Sequence, residues 1–483
     1  NPSDPNDTLD LTGKITATVT LEDADGDTAS DYIDVGGAII FYDDGPYVDV
    51  TKVASHVDLD ETDAFTGGTP GSFPITATSV NSILAMMSDF GADGKAATGD
   101  TVYTLTGSGP SGLKTSQGDY DITLVQTDAD TITGTYNDGT DHTAFTVDIG
   151  SDGKLTVTQY VALDHLNPSD PNDTLNLAGK ITATVTLEDA DGDKASDYMD
   201  VGGAITFYDD GPTAQADVNS VAEGGLVTGN VLTDGTDDVF GADGPTVAGQ
   251  GVVGVRASGG DTTTDVLTGV GTQISGLYGK LTLQANGGYS YDGDPNVVPE
   301  AGATDIFVYT IKDGDGDLST TTLTISLTDS GLMAPDDNDA KVYEQALDLN
   351  QDGLDLAAGT VTGSLPGSTG ETDATNQLNA TGGVGTLTYS LVGSATGTYG
   401  TIQINSDGSY VYTLTKPYDT TPDADNDANT EENKDSFTYQ VTDANGNTKT
   451  GTITVDIVDD IPTASADVNS VAEGGLVTGN VLT

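Results

Sequence analysis

The sequence predicts an all-β protein, built from tandem immunoglobulin- or cadherin-like antiparallel β-sandwich modules in an elongated array. Short apolar runs alternate with polar residues, Asn-Gly and Asp-Gly turns separate those runs, and long segments of the sequence recur. Alternation with a period of two is typical of strands that bury one face, as in residues 14–21, KITATVTL. Strand-like runs at this spacing favour sandwiches.

The composition is strongly acidic and excludes several classes of protein. The chain has 483 residues, with 77 Asp and Glu against 14 Lys and Arg, which gives a net charge of -63. Such a charge repels nucleic acid and anionic membrane surfaces and attracts cations. Because there is no Cys, disulfides, zinc-thiolate sites and cysteine nucleophiles are excluded. A high net charge also suits a disordered chain, but the alternating apolar runs favour folded strands.

Two long repeats show that the chain is modular. Residues 1–46 and 167–212 differ at only five of 46 positions, and residues 213–233 recur as 463–483 with one change. We therefore expect the chain to be a window cut from a longer tandem array. On that interpretation, the absence of a signal peptide or a transmembrane segment carries no information about the whole protein.

Module boundaries are marked by a recurring short motif. Asp-Asp-Gly-Pro at residues 43–46 and 209–212 and Asp-Asp-Ile-Pro at 459–462 each follow an apolar strand, and a less regular junction lies at 328–331. Pro cannot continue a β-ladder, so these segments are predicted to be short, stiff linkers. The predicted units are the end of a truncated long repeat (1–46), a complete long repeat (47–212), two cadherin-like or VCBS-type modules (213–329 and 330–462) and the first strands of a further module (463–483).

One segment reads as a helix. Residues 80–90, VNSILAMMSDF, are predicted to form an amphipathic helix on the sheet of the second unit. The rest is predicted to be strands and turns.

Closely spaced acidic residues recur in one turn of each module. Carboxylates or amides stand at every second position, at Asp23, Asp25 and Asp27, at Asp189, Asp191 and Asp193, at Asp313, Asp315 and Asp317, and at Asp443, Asn445 and Asn447. Calcium takes six to eight hard oxygen ligands, which such turns can supply. A solvated β-turn is the alternative, since Asp and Gly favour turns anyway. Repetition of the turn between the last two strands of each module favours calcium.

The sandwich geometry predicts where these turns lie. The last strand runs towards the C-terminal pole of its module, so the turn before it should lie beside the incoming linker. The expected groups are Asp313, Asp315 and Asp317 with Asp209 and Asp210, Asp189, Asp191 and Asp193 with Asp43 and Asp44, and Asp443 and Asn445 with Asp329. Glu61, Glu223 and Glu344, each early in its module, either complete these sites or are solvated. The sequence therefore predicts an interdomain calcium clamp.

Three further acidic clusters carry less weight. Residues 348–353 look like the first half of an EF-hand loop, but the Glu expected at position twelve is replaced by Gly359. Residues 336–339 and 423–427 lack the turn glycine, which favours solvated loops.

The modules resemble the repeat regions of giant type I-secreted bacterial surface adhesins, often called RTX adhesins. Residues 47–212 carry the Leu-Asp-Glu start, the LTVTQYVALDH segment, the NPSDPNDTLNL run and the GGAITFYDDGP ending of the long repeat domain. Residues 213–329 and 330–462 resemble VCBS-type or cadherin-like modules, with YGxLxL, the Asn/Asp-Gly turn and FxYxxxDxxGx. The resemblance implies export, calcium-dependent rigidity and attachment or biofilm formation. The nonapeptide GGxGxDxUx array and a ligand-binding module are missing, so the chain reads as a stalk.

The sequence gives weaker support to other functional classes. His56, His142 and His165 stand beside no nucleophile motif and in no metal-ligand spacing. Acid pairs would suit a glycosidase, but they lie in repeated turns, so no catalysis is expected. Two alternatives remain. One is a carbohydrate-binding array presenting Tyr289, Tyr291, Tyr410 and Tyr412, although half-buried strand tyrosines are the simpler interpretation, and the other is a self-assembling filament paired through strand edges.

The sequence thus predicts a calcium-stiffened extender that holds a binding tip away from a bacterial cell, in the extracellular space or biofilm matrix. Its expected partners are calcium ions, neighbouring modules and other copies of the fibre. Contact with nucleic acid or membrane is not expected of this segment.

Overall fold

The computed structural model describes residues 7–64, 72–299, 302–348, 362–365, 368–418, 428–462 and 464–482. Within these ranges every regular element is a β-strand, apart from four single-turn 3-10 helices at Gly36–Ala38, Glu61–Ala64, Gly202–Ala204 and Glu344–Ala346. The all-β prediction is therefore confirmed. In this part of the chain, no helix has the length and apolar character needed to cross a membrane.

The first copy of the long repeat forms four exposed strands. They are β1 (Thr8–Asp10), β2 (Thr16–Glu22), β3 (Thr28–Asp34) and β4 (Ile40–Tyr42). β2 pairs with β3 and β1 with β4, both antiparallel.

The second unit contains fourteen strands. They are β5 (Tyr47–Val53), β6 (Val57–Asp60), β7 (Ile75–Thr78), β8 (Leu84–Asp89), β9 (Thr101–Thr106), β10 (Gly109–Lys114), β11 (Asp121–Gln126), β12 (Thr131–Asn137), β13 (Asp141–Ile149), β14 (Leu155–Gln159), β15 (Thr174–Asn176), β16 (Thr182–Glu188), β17 (Lys194–Asp200) and β18 (Ile205–Tyr208). The sheets have the orders β10-β11-β12-β13-β14-β7, β15-β18-β6, β17-β16-β9 and β5-β8. A single apolar core around Phe145 and Phe207 holds them together.

The two copies of the long repeat differ in burial although their sequences are nearly identical. In the second copy, β16 also pairs with β9 and β18 runs parallel to β6. Val185 and Phe207 are consequently fully buried, whereas the equivalent Val19 and Phe41 of the first copy are 58% and 55% exposed. No described strand before β1 takes the place of β6 or β9. The burial of these residues therefore depends on whether neighbouring strands pair with the repeat, and not on the sequence of the repeat itself.

The helix predicted at residues 80–90 is wrong, because this segment contains the strand β8. β8 pairs antiparallel with β5, and Leu84 enters the core while Ser88 and Asp89 face solvent. A segment with apolar residues at mixed spacing fits either element, and pairing with β5 satisfies its backbone in the extended form.

The third unit is a two-sheet sandwich. Its strands are β19 (Asp217–Ala222), β20 (Leu226–Asn230), β21 (Val252–Ala257), β22 (Gln273–Ser275), β23 (Gly279–Leu283), β24 (Gly288–Gly293), β25 (Ala303–Lys312) and β26 (Leu318–Thr328). The sheets have the orders β19-β26-β25-β21 and β20-β24-β23-β22. Tyr291 and Phe307 meet edge to face in the core between them.

The fourth unit repeats this architecture. Its strands are β27 (Asp337–Tyr343), β28 (Thr372–Gln377), β29 (Thr388–Val392), β30 (Gly400–Ile404), β31 (Ser409–Leu414), β32 (Thr430–Thr442) and β33 (Thr448–Val458). The sheets have the orders β27-β33-β32-β29 and β28-β31-β30. Residues 464–482, predicted to begin a further module, contain no strand. In the third unit the equivalent residues form β19 and β20, which pair with β26 and β24.

Parallel pairing of an early strand with the last strand fixes the direction of each module. β6 runs parallel to β18, β19 to β26 and β27 to β33. The chain therefore enters each module at one pole and leaves at the other. In the third and fourth units the hairpin turn before the last strand lies at the entry pole, beside the incoming linker. In the second unit the acidic turn joins β16 to β17 and β18 follows, so this turn does not lie between the last two strands as predicted.

Candidate metal centre

The acidic turns share one backbone shape. The Oδ1 atom of the first Asp accepts a hydrogen bond from the backbone N–H four residues later, at 3.0, 2.8, 2.7 and 2.9 Å in the turns that begin at Asp23, Asp189, Asp313 and Asp443. The intervening glycine has a positive φ, for example 128° at Gly316, which L side chains rarely adopt. The side chain of the first Asp thus closes each turn on itself.

The most developed site lies at the second junction, between the second and third units. Glu61 comes from the 3-10 helix after β6, Asp209 from the linker after β18, and Asp243 from the loop before β21. One carboxylate oxygen from each lies within 4.8 Å of the others. Their exposed fractions are only 0%, 2% and 2%. Three carboxylates from two modules therefore meet out of contact with solvent.

The acidic turn between β25 and β26 closes the same site. Asp313 and Asp317 are buried, and Asp317 faces Asp209 across the junction. Asp315 Oδ2 accepts a hydrogen bond from the backbone N–H of His165 in the second unit, at 3.2 Å. Asp315 and Asp317 thus approach Asp209 as expected, and Asp313 lies near Asp243. Asp210 lies on the outer side, where its Oδ2 accepts from the N–H of Ala242 at 3.2 Å.

Many of the buried oxygens at this junction have no hydrogen-bond partner. They are Glu61 Oε2, Asp209 Oδ2, both carboxylate oxygens of Asp243, Asp313 Oδ2, Asp315 Oδ1 and Asp317 Oδ2. Each unsatisfied buried polar group costs about 1–3 kcal/mol, and more when it is charged. These are hard anionic oxygens converging from two modules, so the donor set fits a divalent cation such as calcium.

The electrostatics lead to the same conclusion. Burial raises the pKa of Asp209 to about 8 and the pKa of Asp313 to about 10, and the nearby Asp315 carboxylate adds to both shifts. Burial likewise raises the pKa of Asp243 to about 10 and the pKa of Glu61 well above its usual range. These groups therefore need positive charge beside them, from protons or from a cation, to remain buried.

The first junction is a smaller version of this site. One carboxylate oxygen each of Asp43, Asp93 and Asp191 lies within 4.8 Å of the others, and Asp189 and Asp193 are buried beside them. Asp43 Oδ2, Asp189 Oδ2 and both carboxylate oxygens of Asp193 lack hydrogen-bond partners. Burial and the neighbouring Asp43 raise the pKa of Asp193 to about 6. Asp44, the other expected residue, is exposed.

Sequence reasoning missed Asp93 and Asp243. Both stand in the same pentapeptide, Phe-Gly-Ala-Asp-Gly, at residues 90–94 and 240–244, and that repetition was the available signal. The first glycine of each loop, Gly91 or Gly241, has a positive φ and packs against the linker, where a Cβ would fall 2.0 Å from a carbonyl oxygen. That close approach brings the Asp two residues later into the junction.

His165 and Asp173 were also missed. His165 is buried, and its Nδ1 lies 2.7 Å from Asp173 Oδ1. Burial lowers the pKa of His165. One ring nitrogen of His165 and one oxygen each of Asp173 and Asp209 lie within 4.8 Å of one another. The side-chain amide of Gln159, in turn, donates a hydrogen bond to Glu61 Oε1 and holds this carboxylate in place.

At the third junction the predicted residues contact each other and the neighbouring module through hydrogen bonds. Asn445 and Asn447 donate hydrogen bonds to the backbone carbonyl of Glu223, at 3.1 and 3.2 Å. Asp329 and Asn447 line one cleft with Glu223, and Asp329 Oδ1 accepts from the N–H of Gly331 at 3.1 Å. The predicted ligands of this junction therefore have protein partners.

The remaining predicted residues lie outside these junctions. Asp23, Asp25 and Asp27 form an exposed group in the first copy of the long repeat. Glu344 is buried near Asp459 at the end of the fourth unit, accepts a hydrogen bond from the N–H of Tyr418, and has its pKa raised to about 7, mainly by burial. The EF-hand-like segment beyond Asp348 and residues 423–427 lie outside the described residues.

The tyrosines that a carbohydrate-binding surface would need are buried. Tyr289 is 5% exposed, and Tyr291, Tyr410 and Tyr412 are 0% exposed. Tyr291 and Tyr412 donate to the carboxylates of Asp305 and Asp435, at 2.7 and 2.6 Å. Burial of this kind removes the rings from contact with a sugar and contradicts the carbohydrate-binding alternative in the form proposed.

The chain is similar to a family of unknown function and to structures of extracellular cadherin domains. Residues 56–202 match the family described as a domain of unknown function (DUF5801). No curated protein matches the sequence. Among solved structures, mouse cadherin-23 EC22-24 is 14% identical, with 87% of this chain and 100% of that chain covered and a TM-score of 0.28. Protocadherin gamma B2 extracellular cadherin domains 3-6 are 10% identical, with coverages of 92% and 83% and a TM-score of 0.25. Because these scores are low, the fold assignment rests on the strand pairings above.

Proposed function

We propose that this chain is a calcium-stiffened extender, a series of β-sandwich modules whose junctions are held by cations. It would serve an extracellular adhesin or fibre at a bacterial surface or in a biofilm, where it holds a binding tip away from the cell. No catalytic role is proposed. The observation that carries the proposal is the buried group of carboxylates at the second junction, contributed by both modules and rich in unpartnered oxygens.

The residues of the second junction would act as a clamp. Glu61 and Asp209 belong to one module, and Asp243 and Asp313 belong to the next, so a ligand shared among them fixes the angle between modules. A bound calcium ion would supply the positive charge that these carboxylates need. Without it, repulsion among them favours separation of the modules before either core unfolds.

Small-angle scattering of the 483-residue chain in millimolar calcium and then in excess chelator tests the proposal. We expect an extended, stiff particle in calcium and a shorter, flexible one after chelation, because the junctions lose their shared ligand. Magnesium at the same ionic strength separates specific binding from charge screening. Identical profiles in calcium and in chelator would contradict the proposal.

The variant Asp315→Ala localises the effect. Asp315 bridges to His165 across the second junction, so this variant is expected to loosen that junction alone in calcium. Asp130→Ala, an exposed turn residue of the second unit, is the matched control and is expected to scatter like the parent chain. Equal stiffness of Asp315→Ala and the parent would count against the clamp.

A further inference from the structure

The third junction uses the same segments as the second but with different chemistry. Gly241 and Gly382 both have positive φ and both pack on the incoming linker, where a Cβ would fall 2.0 and 1.9 Å from the carbonyl oxygens of Asp210 and Gly331. The strand registers align the two linkers, because Asp60 pairs with Tyr208 and Ala222 pairs with Thr328, so Asp209 corresponds to Asp329 and Asp210 to Ser330. Counting from these glycines, Val384 stands at the position of Asp243.

This alignment shows that the third junction has lost most of its acidic groups. Of the seven acidic positions of the second junction, three remain acidic, as Glu223 for Glu61, Asp329 for Asp209 and Asp443 for Asp313. The other four are neutral, with Ser330, Val384, Asn445 and Asn447 in place of Asp210, Asp243, Asp315 and Asp317. The third junction therefore carries less negative charge to attract a divalent cation.

Direct hydrogen bonds between the modules take the place of that charge. The side-chain amides of Asn445 and Asn447 both donate to the carbonyl of Glu223 in the preceding module. The backbone N–H of Asn296 donates to Asn447 Oδ1 at 3.0 Å, and the N–H of Thr448 donates back to Asn296 Oδ1 at 2.7 Å. Four hydrogen bonds thus join the third and fourth units at one turn.

The three carboxylates that remain also accept hydrogen bonds from protein groups, and Asp329 accepts from the N–H of Gly331 at 3.1 Å. Glu223 accepts from the N–H groups of Ser330 and Val298, at 3.1 and 3.3 Å. Asp443 accepts from the backbone N–H groups of Asn445 and Asn447 on Oδ1, and from Val384 N–H and the Asn447 amide on Oδ2. The second junction differs, because seven of its carboxylate oxygens have no partner.

We infer that the third junction is an amide clamp that holds the third and fourth units together without a cation. Asn donates as well as accepts, so Asn445 and Asn447 can bind a carbonyl of the neighbouring module directly. Asp at the same positions only accepts when ionised and needs a cation to bridge to another oxygen. The inference deepens the proposed function, since calcium then controls the first two junctions and leaves residues 213–462 as a rigid pair of modules.

The test measures both junctions in one chain. Because the sequence has no Cys, single cysteines can be placed at the exposed positions Thr143, Ser326 and Ser390, in the second, third and fourth units. Spin labels at 143 and 326 span the second junction, and labels at 326 and 390 span the third. Pulsed electron–electron double resonance then gives the distance distribution across each junction, in calcium and after chelation.

We expect chelation to broaden the 143–326 distribution and to leave the 326–390 distribution unchanged. Broadening of both distributions by the same extent would overturn the amide clamp. If neither distribution changes, the calcium clamp of the proposed function fails and the amide clamp stands. If only the 326–390 distribution broadens, both fail.

Variants of the two asparagines give an independent test. In Asn445→Asp/Asn447→Asp the donors to Glu223 are lost and two charges are added, so the 326–390 distribution is expected to broaden in chelator and to narrow again in calcium. In Asn445→Ala/Asn447→Ala it is expected to broaden in both conditions. A narrow distribution for both double variants in chelator would overturn the inference, and a narrow 143–326 distribution in calcium verifies that the neighbouring units remain folded.

Discussion

Asp243 shows at the scale of single residues how a junction can be built for a cation. Its carboxylate is 2% exposed, and neither of its oxygens has a hydrogen-bond partner. The hydrophobic effect gives no reason to bury such a group, so its burial requires compensating charge. At the third junction Val384 occupies this position, and the need for compensation disappears.

Asp243→Asn should weaken calcium binding at the second junction. The substitution keeps the shape of the side chain and removes one negative charge, so we expect at least a tenfold loss in affinity, about 1.4 kcal/mol. Isothermal titration calorimetry of the full chain at fixed ionic strength measures it. Asp130→Asn, on an exposed turn, is the control, and equal affinities for the two variants would exclude Asp243 from the site.

A second buried acidic pair predicts a pH dependence that involves none of the junctions. Asp217 and Asp238 face the hydroxyl of Tyr309, which lies 3.0 Å from Asp217 Oδ2 and 3.2 Å from Asp238 Oδ2 and has one proton to donate. Burial raises the pKa of Asp217 to about 6 and the pKa of Asp238 to about 7. The folded third unit therefore binds more protons than its unfolded form between about pH 4 and 7.

It follows that the free energy of unfolding of the third unit falls as the pH rises through this window, by about 1–3 kcal/mol. Thermal melting followed by circular dichroism at pH 4.5 and pH 8, in saturating calcium, measures this. In Asp238→Asn the difference between the two pH values should shrink, whereas the exposed neighbour Asp237→Asn should retain it. A melting temperature that rises with pH in the parent chain would contradict the assignment.

At the scale of elements, the Phe-Gly-Ala-Asp-Gly loop positions the linker. Gly241 and Gly244 both have a φ of 65°, but only Gly241 touches the linker, where a Cβ would fall 2.0 Å from the Asp210 carbonyl oxygen. Nothing lies within 4 Å of a Cβ built on Gly244. Substitutions at the two glycines therefore distinguish two effects. Both substitutions strain the backbone, but only the one at Gly241 disturbs the contact with the linker.

Gly241→Ala should broaden the 143–326 distance distribution in calcium, because the added methyl group pushes the linker away from the loop. Gly244→Ala carries the same backbone cost, about 1–2 kcal/mol, and should leave that distribution narrow. If both variants broadened it equally, strain in the loop and not contact with the linker would explain the effect.

The sequence predicted an element correctly where its local hydrophobic pattern matches the way in which it packs in the folded module. Alternating runs such as residues 182–187 became strands, and parallel pairing of β19 with β26 places the turn at 313–317 beside Asp209, as expected. The helix at 80–90 failed because β5 offers a partner for β8 that no local pattern reveals. The amide clamp was equally hidden, since Asn445 alone does not show that it faces a carbonyl of another module.

Across the whole molecule, the junctions differ in how much uncompensated charge they bury. The first two collect unpartnered carboxylate oxygens, whereas the third joins its modules by amide hydrogen bonds. A chain with a net charge of -63 repels itself, so contacts at the junctions have to oppose this repulsion to hold the modules together. We expect calcium to stiffen the junctions near residues 46 and 212 and to change the junction near residue 330 little.

An anomalous-difference map from crystals of the chain grown in millimolar calcium, recorded at long wavelength, tests the central claim most directly. We expect a peak among the carboxylates of Glu61, Asp209 and Asp243, with oxygen distances of about 2.3–2.6 Å, and no peak between Asn447 and Glu223. Well-ordered crystals in which those carboxylates remain together without a peak would contradict the calcium clamp.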